Sequence, residues 1–254
     1  MFSWHSALIT FLICWHLKIV THTIYVHRGQ GHHYFTFSPV LEHFFRFCGW
    51  FLAGSHWENW QKHYAALHRM HHAYSDTELD PHSPYHYTFS ELLDVTGTKS
   101  HYVSPEDIEK YAPDIISTND WLARNLYGKY PNLGLLTFWL IFTILFGVVG
   151  VILGCLPYFF GKKVSIILGD YMPHKIGFSY AGNKKSDRSM IFSPIGIFLV
   201  GEDLHAHHHN DDSIPYFSRN WWEFDLGWFY CRILMALGLM TLNDRTSWID
   251  IGKS

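Results

Sequence analysis

Long apolar runs alternate with polar ones along this chain. Residues 6–26 form a first apolar segment, interrupted by His16, Lys18 and His22. At about 20 residues it is long enough to cross a bilayer as a helix. Residues 35–55 are rich in Phe but carry Glu42, His43 and Arg46 at intervals, the pattern of an amphipathic helix lying in the membrane interface. Residues 133–160 contain no charged residue, and apolar character resumes at Val164. A hairpin of two membrane helices is therefore predicted over 133–168, within a membrane segment reaching 172. Between these runs, residues 76–130 are polar and punctuated by Pro81, Pro84 and Pro113, with Pro131 just beyond. This predicts loops with short helices near 105–111 and 120–127. The tail, 221–242, reads as an amphipathic helix ending near Gly238. The expected fold is all-α, one membrane domain over 1–254. Residues 6–26 and 133–172 lie in the membrane, 35–55 in its interface, and 60–130 with 175–245 in a cytosolic helical cap.

Composition strengthens the membrane reading. Of the 254 residues 48% are hydrophobic, 18% aromatic and only 16% charged, against about 25% charged in an ordinary soluble domain. A net charge of −3 gives no basis for a nucleic-acid partner. Cys14, Cys48, Cys155 and Cys231 show no CxxC spacing and are expected to be buried thiols in a reducing compartment. The start of the chain lacks a basic region and a small-residue cleavage site, so it is not expected to be a signal peptide. Lys162 and Lys163 fall in the second arm of the predicted hairpin. Charge is costly there unless the side chains snorkel to the membrane surface.

Histidine is the candidate chemistry. His27 and His32 form one cluster; His68, His71 and His72 a second; His205, His208 and His209 a third. The last two share the spacing i, i+3, i+4, which puts three imidazoles within about 100° of arc on one helix face. Clustered imidazoles suit Zn, Cu, Fe or Ni, and eight are too many for one ion, so two metals are expected. His207 points to the opposite face and is excluded. His33, His63 and His82 are expected to be surface, off-face and loop or supporting groups, and His16, His22, His43 and His56 hydrogen-bonded core residues. One site needs its ligands on one side of the membrane. That requires 35–55 not to cross and the 133–168 hairpin to cross twice.

The ordered set HxxxxH, HxxHH, HxxHH resembles the integral-membrane fatty acid desaturases, from about residue 7 to 242. His68-Arg69-Met70-His71-His72 is similar to the second box of the bacterial acyl-CoA (delta-9) type. Asp80-Pro81-His82-Ser83 follows at the expected distance, and Gly201-Glu202-Asp203-Leu204-His205 resembles the opening of the third box. The segments 119–126 and 222–228 also look like that family. The resemblance implies His174 as a ninth ligand. It places Asp170 where the family has an asparagine that reaches a metal through water, adding a negative charge there.

The resemblance further implies two iron ions, which zinc can replace in overexpressed protein, and O2-dependent insertion of a cis double bond into a fatty acyl thioester, acyl-CoA in that type. Electrons would come from a separate ferredoxin or cytochrome b5-type donor. The site would face the cytosol from a bacterial cytoplasmic membrane. An unactivated methylene offers no polar handle, so an apolar tunnel must select the carbon; Trp57, Trp60, Phe44 and Phe45 are candidates for its wall. Arg69, Lys99 and Arg124 are candidates for contact with an anionic headgroup. Related hydroxylases and terminal-alkene-forming decarboxylases share this kind of site and are alternatives, as is, from another class, a non-catalytic membrane metal transporter.

Overall fold

The computed structural model describes residues 3–54, 60–94, 100–179, 186–193 and 195–244. Helix α1 (Trp4–Val20) starts at Ser3, whose hydroxyl accepts from the Ser6 N–H, and runs without a break into a wider π-helical stretch, Thr21–Gly31. The region expected as one interfacial helix divides in three: a short strand β1 (Phe35–Phe37), helix α2 (Pro39–Cys48) and a π-helical turn, Gly49–Ala53. Ser38 caps α2 and Pro39 occupies its first turn, where the missing N–H costs nothing. Helix α3 (Trp60–Tyr74) follows. Thr88 and Glu91 close a capping box on α4 (Phe89–Leu92), and α5 (Pro105–Tyr111) lies where predicted, capped by Ser104. The second expected short helix is the π-helical turn Ala123–Tyr127.

The hairpin is present as α6 (Leu133–Phe146) and α7 (Val148–Ile166), which turn at Gly147. Close approach of the two is sequence-specific. A Cβ on Gly150 would lie 1.9 Å from the Phe142 carbonyl oxygen, and one on Gly154 would press on Trp139 and Phe142. Small residues four apart let apolar helices pack backbone to backbone. Their outer faces stay apolar and exposed, with Leu136, Leu140 and Ile144 on α6 and Val148 and Ile152 on α7. Two continuous helical stretches, Trp4–Gly31 and Val148–Lys175, are long and apolar enough to cross a membrane. Lys162 and Lys163 are exposed and sit level with the first turn of α6.

Past α7 the helix widens again at Ile167–Tyr171 and ends in α8 (Met172–Lys175). The third histidine cluster lies on α9 (His205–Asn210), after a single 3-10 turn at Glu202–Leu204. Helix α10 (Leu226–Ala236), capped by Asp225, leads into β2 (Met240–Leu242), antiparallel to β1 with Phe35 opposite Leu242. This two-stranded ribbon was not expected; it pins the tail beside the first histidine cluster. Two apolar cores flank the site. One joins α1, α2 and α6 through Ala7, Cys48, Leu52 and Phe142; the other packs Tyr25, Phe35, Phe45, Trp60 and Cys231 together. All four cysteines are free, but only Cys48 and Cys231 are buried, Cys14 and Cys155 being partly exposed.

Candidate metal centre

The first cluster shows how local structure sets ligand geometry. A separation of five residues puts two side chains on different faces of an α-helix, whose turn holds 3.6. Here the His32 N–H donates to the His27 carbonyl at 3.0 Å, an i+5 bond that widens the turn and aims both rings inward. On α3 and α9 the i, i+3, i+4 spacing works as expected from an ordinary helix.

The nine histidines converge as two groups, not one. His27, His32, His68, His72 and His208 bring one nitrogen each within 4.8 Å of one another; His71, His174, His205 and His209 do the same. The two triple clusters split in opposite senses. Helix α3 sends its i and i+4 residues to the five-histidine group and its i+3 residue to the other, and α9 does the reverse. The groups adjoin, with ring centroids of His72 and His209 4.3 Å apart. All nine residues are buried.

The nitrogens face one another in a way that calls for a cation. Glu202 accepts from His27 Nδ1 at 2.8 Å and Asp76 from His174 Nδ1 at 2.9 Å. An ionised carboxylate only accepts, so Nδ1 carries a hydrogen and, in the neutral ring that ligates, Nε2 carries the lone pair. Those Nε2 atoms lie 3.1 Å from His208 Nε2 and 3.2 Å from His205 Nε2. His68 Nε2 lies 2.7 Å from His32 Nε2 and 3.1 Å from His72 Nε2. Pairwise N–H···N bonds cannot serve five nitrogens that meet at one point. Nitrogens bound at about 2.1 Å to one metal, at right angles, lie about 3 Å apart. Burial, reinforced by neighbouring rings, holds His68, His72, His205, His208 and His209 well below the ordinary histidine range, so they are neutral, the form that ligates. The buried Nε2 of His209 and Nδ1 atoms of His72 and His208 have no hydrogen-bond partner among the described residues. Each group can hold a metal.

A layer of carboxylates behind the rings was not read from the sequence. Asp80 accepts from His71 Nδ1 at 2.9 Å. Against the effect of burial, its charge raises His71, and the carboxyl itself is held low by His71. Glu202 is likewise held at about 2: burial would raise it, but its contact with His27, the Arg28 charge and the Thr23 hydroxyl outweigh that. Asp187 stands 3.3 Å from His209 Nδ1. For Asp76, Asp80 and Glu202 the signal was available, since they lie within a few residues of a histidine box or in the motifs beside one; Asp187 lies far from any box. His207 takes no part; its Nε2 pairs with Glu223 at 2.8 Å. Arg28, fully buried, makes paired bonds to Asp225 at 2.9 and 3.0 Å and covers the Phe217 ring.

No family model matches the chain. Curated proteins do. Delta-9 acyl-lipid desaturase 1 of Arabidopsis thaliana is 28% identical over 255 residues, 94% of this chain and 75% of that protein. The sn-1 stearoyl-lipid 9-desaturase of Anabaena variabilis is 27% identical over 241 residues, 94% of this chain and 84% of that one. An acyl-CoA C20 Delta5-desaturase of Anemone leveillei is 26% identical over 247 residues. Over 94% of its length the chain is thus similar to curated fatty acid desaturases, at 26–28% identity.

In this chain a cavity of about 590 Å³ reaches the wall of the five-histidine group at His68, within the size range of ligand pockets. A smaller space of about 80 Å³ shares its walls at His22, Tyr64 and His68 and touches both groups, at His27 and at His71 and His205. Trp60 is buried beside Tyr25 and lines the larger cavity. Trp57, His56 and Lys99 lie outside the described residues. Phe45 is core, stacked on Tyr25, and Phe44 is exposed. Arg69 does not offer its guanidinium to a headgroup: it donates to Asp114 at 2.5 and 3.0 Å and to the carbonyls of Gly31 and Tyr111. Arg124 is exposed on its turn and is not part of the cavity wall. His43 is about half exposed, beside Asp120. His82 and His63 both line the cavity. Asp170 joins neither histidine group; it lies with His82 and with His101, a single histidine outside the boxes.

Proposed function

We propose that this protein is an oxygen-dependent fatty acyl desaturase whose two histidine groups hold a pair of iron ions. The five-histidine group would use His27, His32, His68, His72 and His208, and the other His71, His174, His205 and His209. The observation that carries the reading is the convergence of nine buried imidazoles, with lone pairs facing one another, beside a cavity walled largely by apolar and aromatic residues. Zinc fits the same donors, and iron is preferred because the reaction needs a redox metal. Ligands come from α1 and from residues near the C-terminal end, which supports one catalytic unit over 1–254. Both membrane-length helices deliver their histidines, His27 and His174, at their C-terminal ends, so the site lies on one face of the membrane, which we assign to the cytosolic side.

When bound, the metal pair supplies the activation of O2 and the removal of two hydrogens from adjacent methylenes. The reaction balances as one acyl chain, O2, two electrons and two protons giving the cis alkene and two waters. The electrons come from a separate ferredoxin or cytochrome b5-type donor. The chain's own residues hold and orient. Tyr64 stacks on His68, Glu202 and Asp76 fix ring tautomers, and the cavity positions the acyl chain while excluding water. The substrate is an acyl thioester or a lipid-linked acyl chain, both represented in the names of the relatives.

Expression in a host unable to make unsaturated fatty acids tests the reading. Growth without supplement and a new cis monoene are expected. A hydroxy acid or a shortened terminal alkene as the product would replace desaturation with a related oxidation. No product from folded, iron-loaded protein would overturn the assignment.

A further inference from the structure

Outside the nine histidines, three more donors meet. His82, His101 and Asp170 each bring a ligand atom within 4.8 Å of the other two. They come from separate segments: the turns after α3, the stretch before α5, and the π-helical turn after α7. The hydrogen bonding of His101 fixes its tautomer. The Ser100 hydroxyl gives its hydrogen to the Glu91 carbonyl at 2.6 Å. In its 2.9 Å contact with His101 Nδ1 it therefore accepts, so Nδ1 carries a hydrogen and, in the neutral ring, Nε2 carries the lone pair.

That lone pair faces Asp170 Oδ2 at 3.2 Å. Two acceptors at this distance repel unless positive charge lies between them. A proton would pull the pair to about 2.7–2.9 Å, the usual length of a charge-assisted bond. Donors sharing a metal at about 2.1 Å sit about 3.0–3.4 Å apart, from right-angle to tetrahedral geometry. The separation of 3.2 Å lies inside the metal range and at the long end of an ordinary N–H···O bond. A second observation is independent of this pair. His82 is 4% exposed, and its Nδ1 is buried with no hydrogen-bond partner among the described residues. Its ring is close to His71, 4.3 Å between centroids, but His71 is already committed to Asp80 through Nδ1. His101 is also held at φ +63°, a backbone conformation that side-chain-bearing residues rarely take.

We propose that His82, His101 and Asp170 form a third cation site, separate from the two histidine groups and suited to a divalent zinc or iron ion. Two imidazoles and one carboxylate leave coordination positions open. All three residues line the larger cavity, and His82 and Asp170 also wall the smaller space against the histidine groups. The open positions therefore face the volume where an acyl substrate would lie. The site would bind an oxygen donor there, water or a substrate carbonyl. It also accounts for a carboxylate at position 170, since the added negative charge is matched by the cation it binds.

Metal counting on the full-length protein tests this. Detergent-solubilised protein is stripped with chelator, reloaded with Zn2+ and assayed for bound metal by elemental analysis, with no dependence on turnover. The wild type is expected to hold about three equivalents, and His101→Ala and Asp170→Asn each about one fewer. Equal stoichiometry in the wild type and both variants overturns the proposal and leaves a proton between His101 and Asp170. His208→Ala separates this from the two-metal reading. If that reading fails, the variant loses no metal while His101→Ala still loses one. If only the third site fails, His208→Ala loses one equivalent and His101→Ala none. Should His101→Ala fold poorly, Asp170→Asn, nearly isosteric, carries the comparison.

Discussion

The two histidine groups share buried rings, short nitrogen–nitrogen separations and ligands from both α3 and α9, yet they are held in different ways. In the four-histidine group the outer nitrogens of His71, His174 and His209 face Asp80, Asp76 and Asp187. In the five-histidine group His27 has Glu202, Asp212 stands farther off, 3.8 Å from His72 Nδ1, and the outer nitrogen of His208 lacks a hydrogen-bond partner among the described residues. Its rings are placed instead by backbone and packing: the widened turns before His32, the Tyr34 ring stacked on His32, and Phe217 against His208. Charge dominates the orientation of one centre and packing that of the other. Carboxylate partners raise the basicity of a ligating imidazole, so the four-histidine group should keep its metal more tightly although it has fewer ligands.

Removing a ring from either group is the largest test. His71→Ala and His208→Ala should each abolish product formation and cost about one metal equivalent, measured by product analysis and elemental analysis. Loss of both metals from a single substitution would mean that the groups form one cooperative unit and that the contrast between them is not functional. Next comes the buried brace behind the packed centre. Asp225→Ala strips Arg28 of a buried partner, which costs about 3–5 kcal/mol. It should lower the thermal midpoint in detergent and loosen the five-histidine group first, read as earlier metal loss from the His27 side during chelation.

The carboxylate layer gives the direct comparison. Asp80→Asn and Asp76→Asn should weaken metal binding by about 10–100-fold, measured by competition with a chelator of known affinity. Asn substitutions at both positions should affect the four-histidine group, and Glu202→Gln only the other. Since the five-histidine group depends less on such partners, Glu202→Gln is expected at the lower end of that range. An equal or larger effect there would refute the division into charge-held and shape-held centres.

The legibility of the chain follows the same division. The i, i+3, i+4 spacing of α3 and α9 and the charge-free run over α6 are regular patterns on regular helices, and the structure places them as predicted. The first cluster has no regular α-helical solution; its inward rings depend on a π-helical widening that propensity does not reveal. The partition into five and four was hidden because it depends on how α3 and α9 face each other across the site, which is tertiary information. Arg69 shows the reverse error. A cation beside a histidine box reads as a ligand for an anion, but Asp114, far off in sequence, had already claimed it. His101 escaped notice because it is a single residue in a loop, without periodicity to announce it.

The smallest effect belongs to a pair remote from both groups. Arg46 of α2 makes two bonds to Asp120, at 2.6 and 2.8 Å, and hydrogen bonding from Arg46 holds the Asp120 carboxyl well below the usual carboxylate range. The sign of its contribution follows. A depressed folded value stabilises the protein above the unfolded carboxylate pKa of about 3.9, and the contribution is lost as pH falls through the folded value. Asp120 is about one-third exposed, 34%, so solvent screening limits the pair to about 1 kcal/mol or less. Asp120→Asn should therefore lower the thermal midpoint slightly at pH 7 and by less as the pH falls below about 4, with metal content unchanged throughout. A change in metal content on this substitution would show that α2 is coupled to the five-histidine group through Phe45 and Tyr25, and that the packed centre is held from farther away than its immediate neighbours.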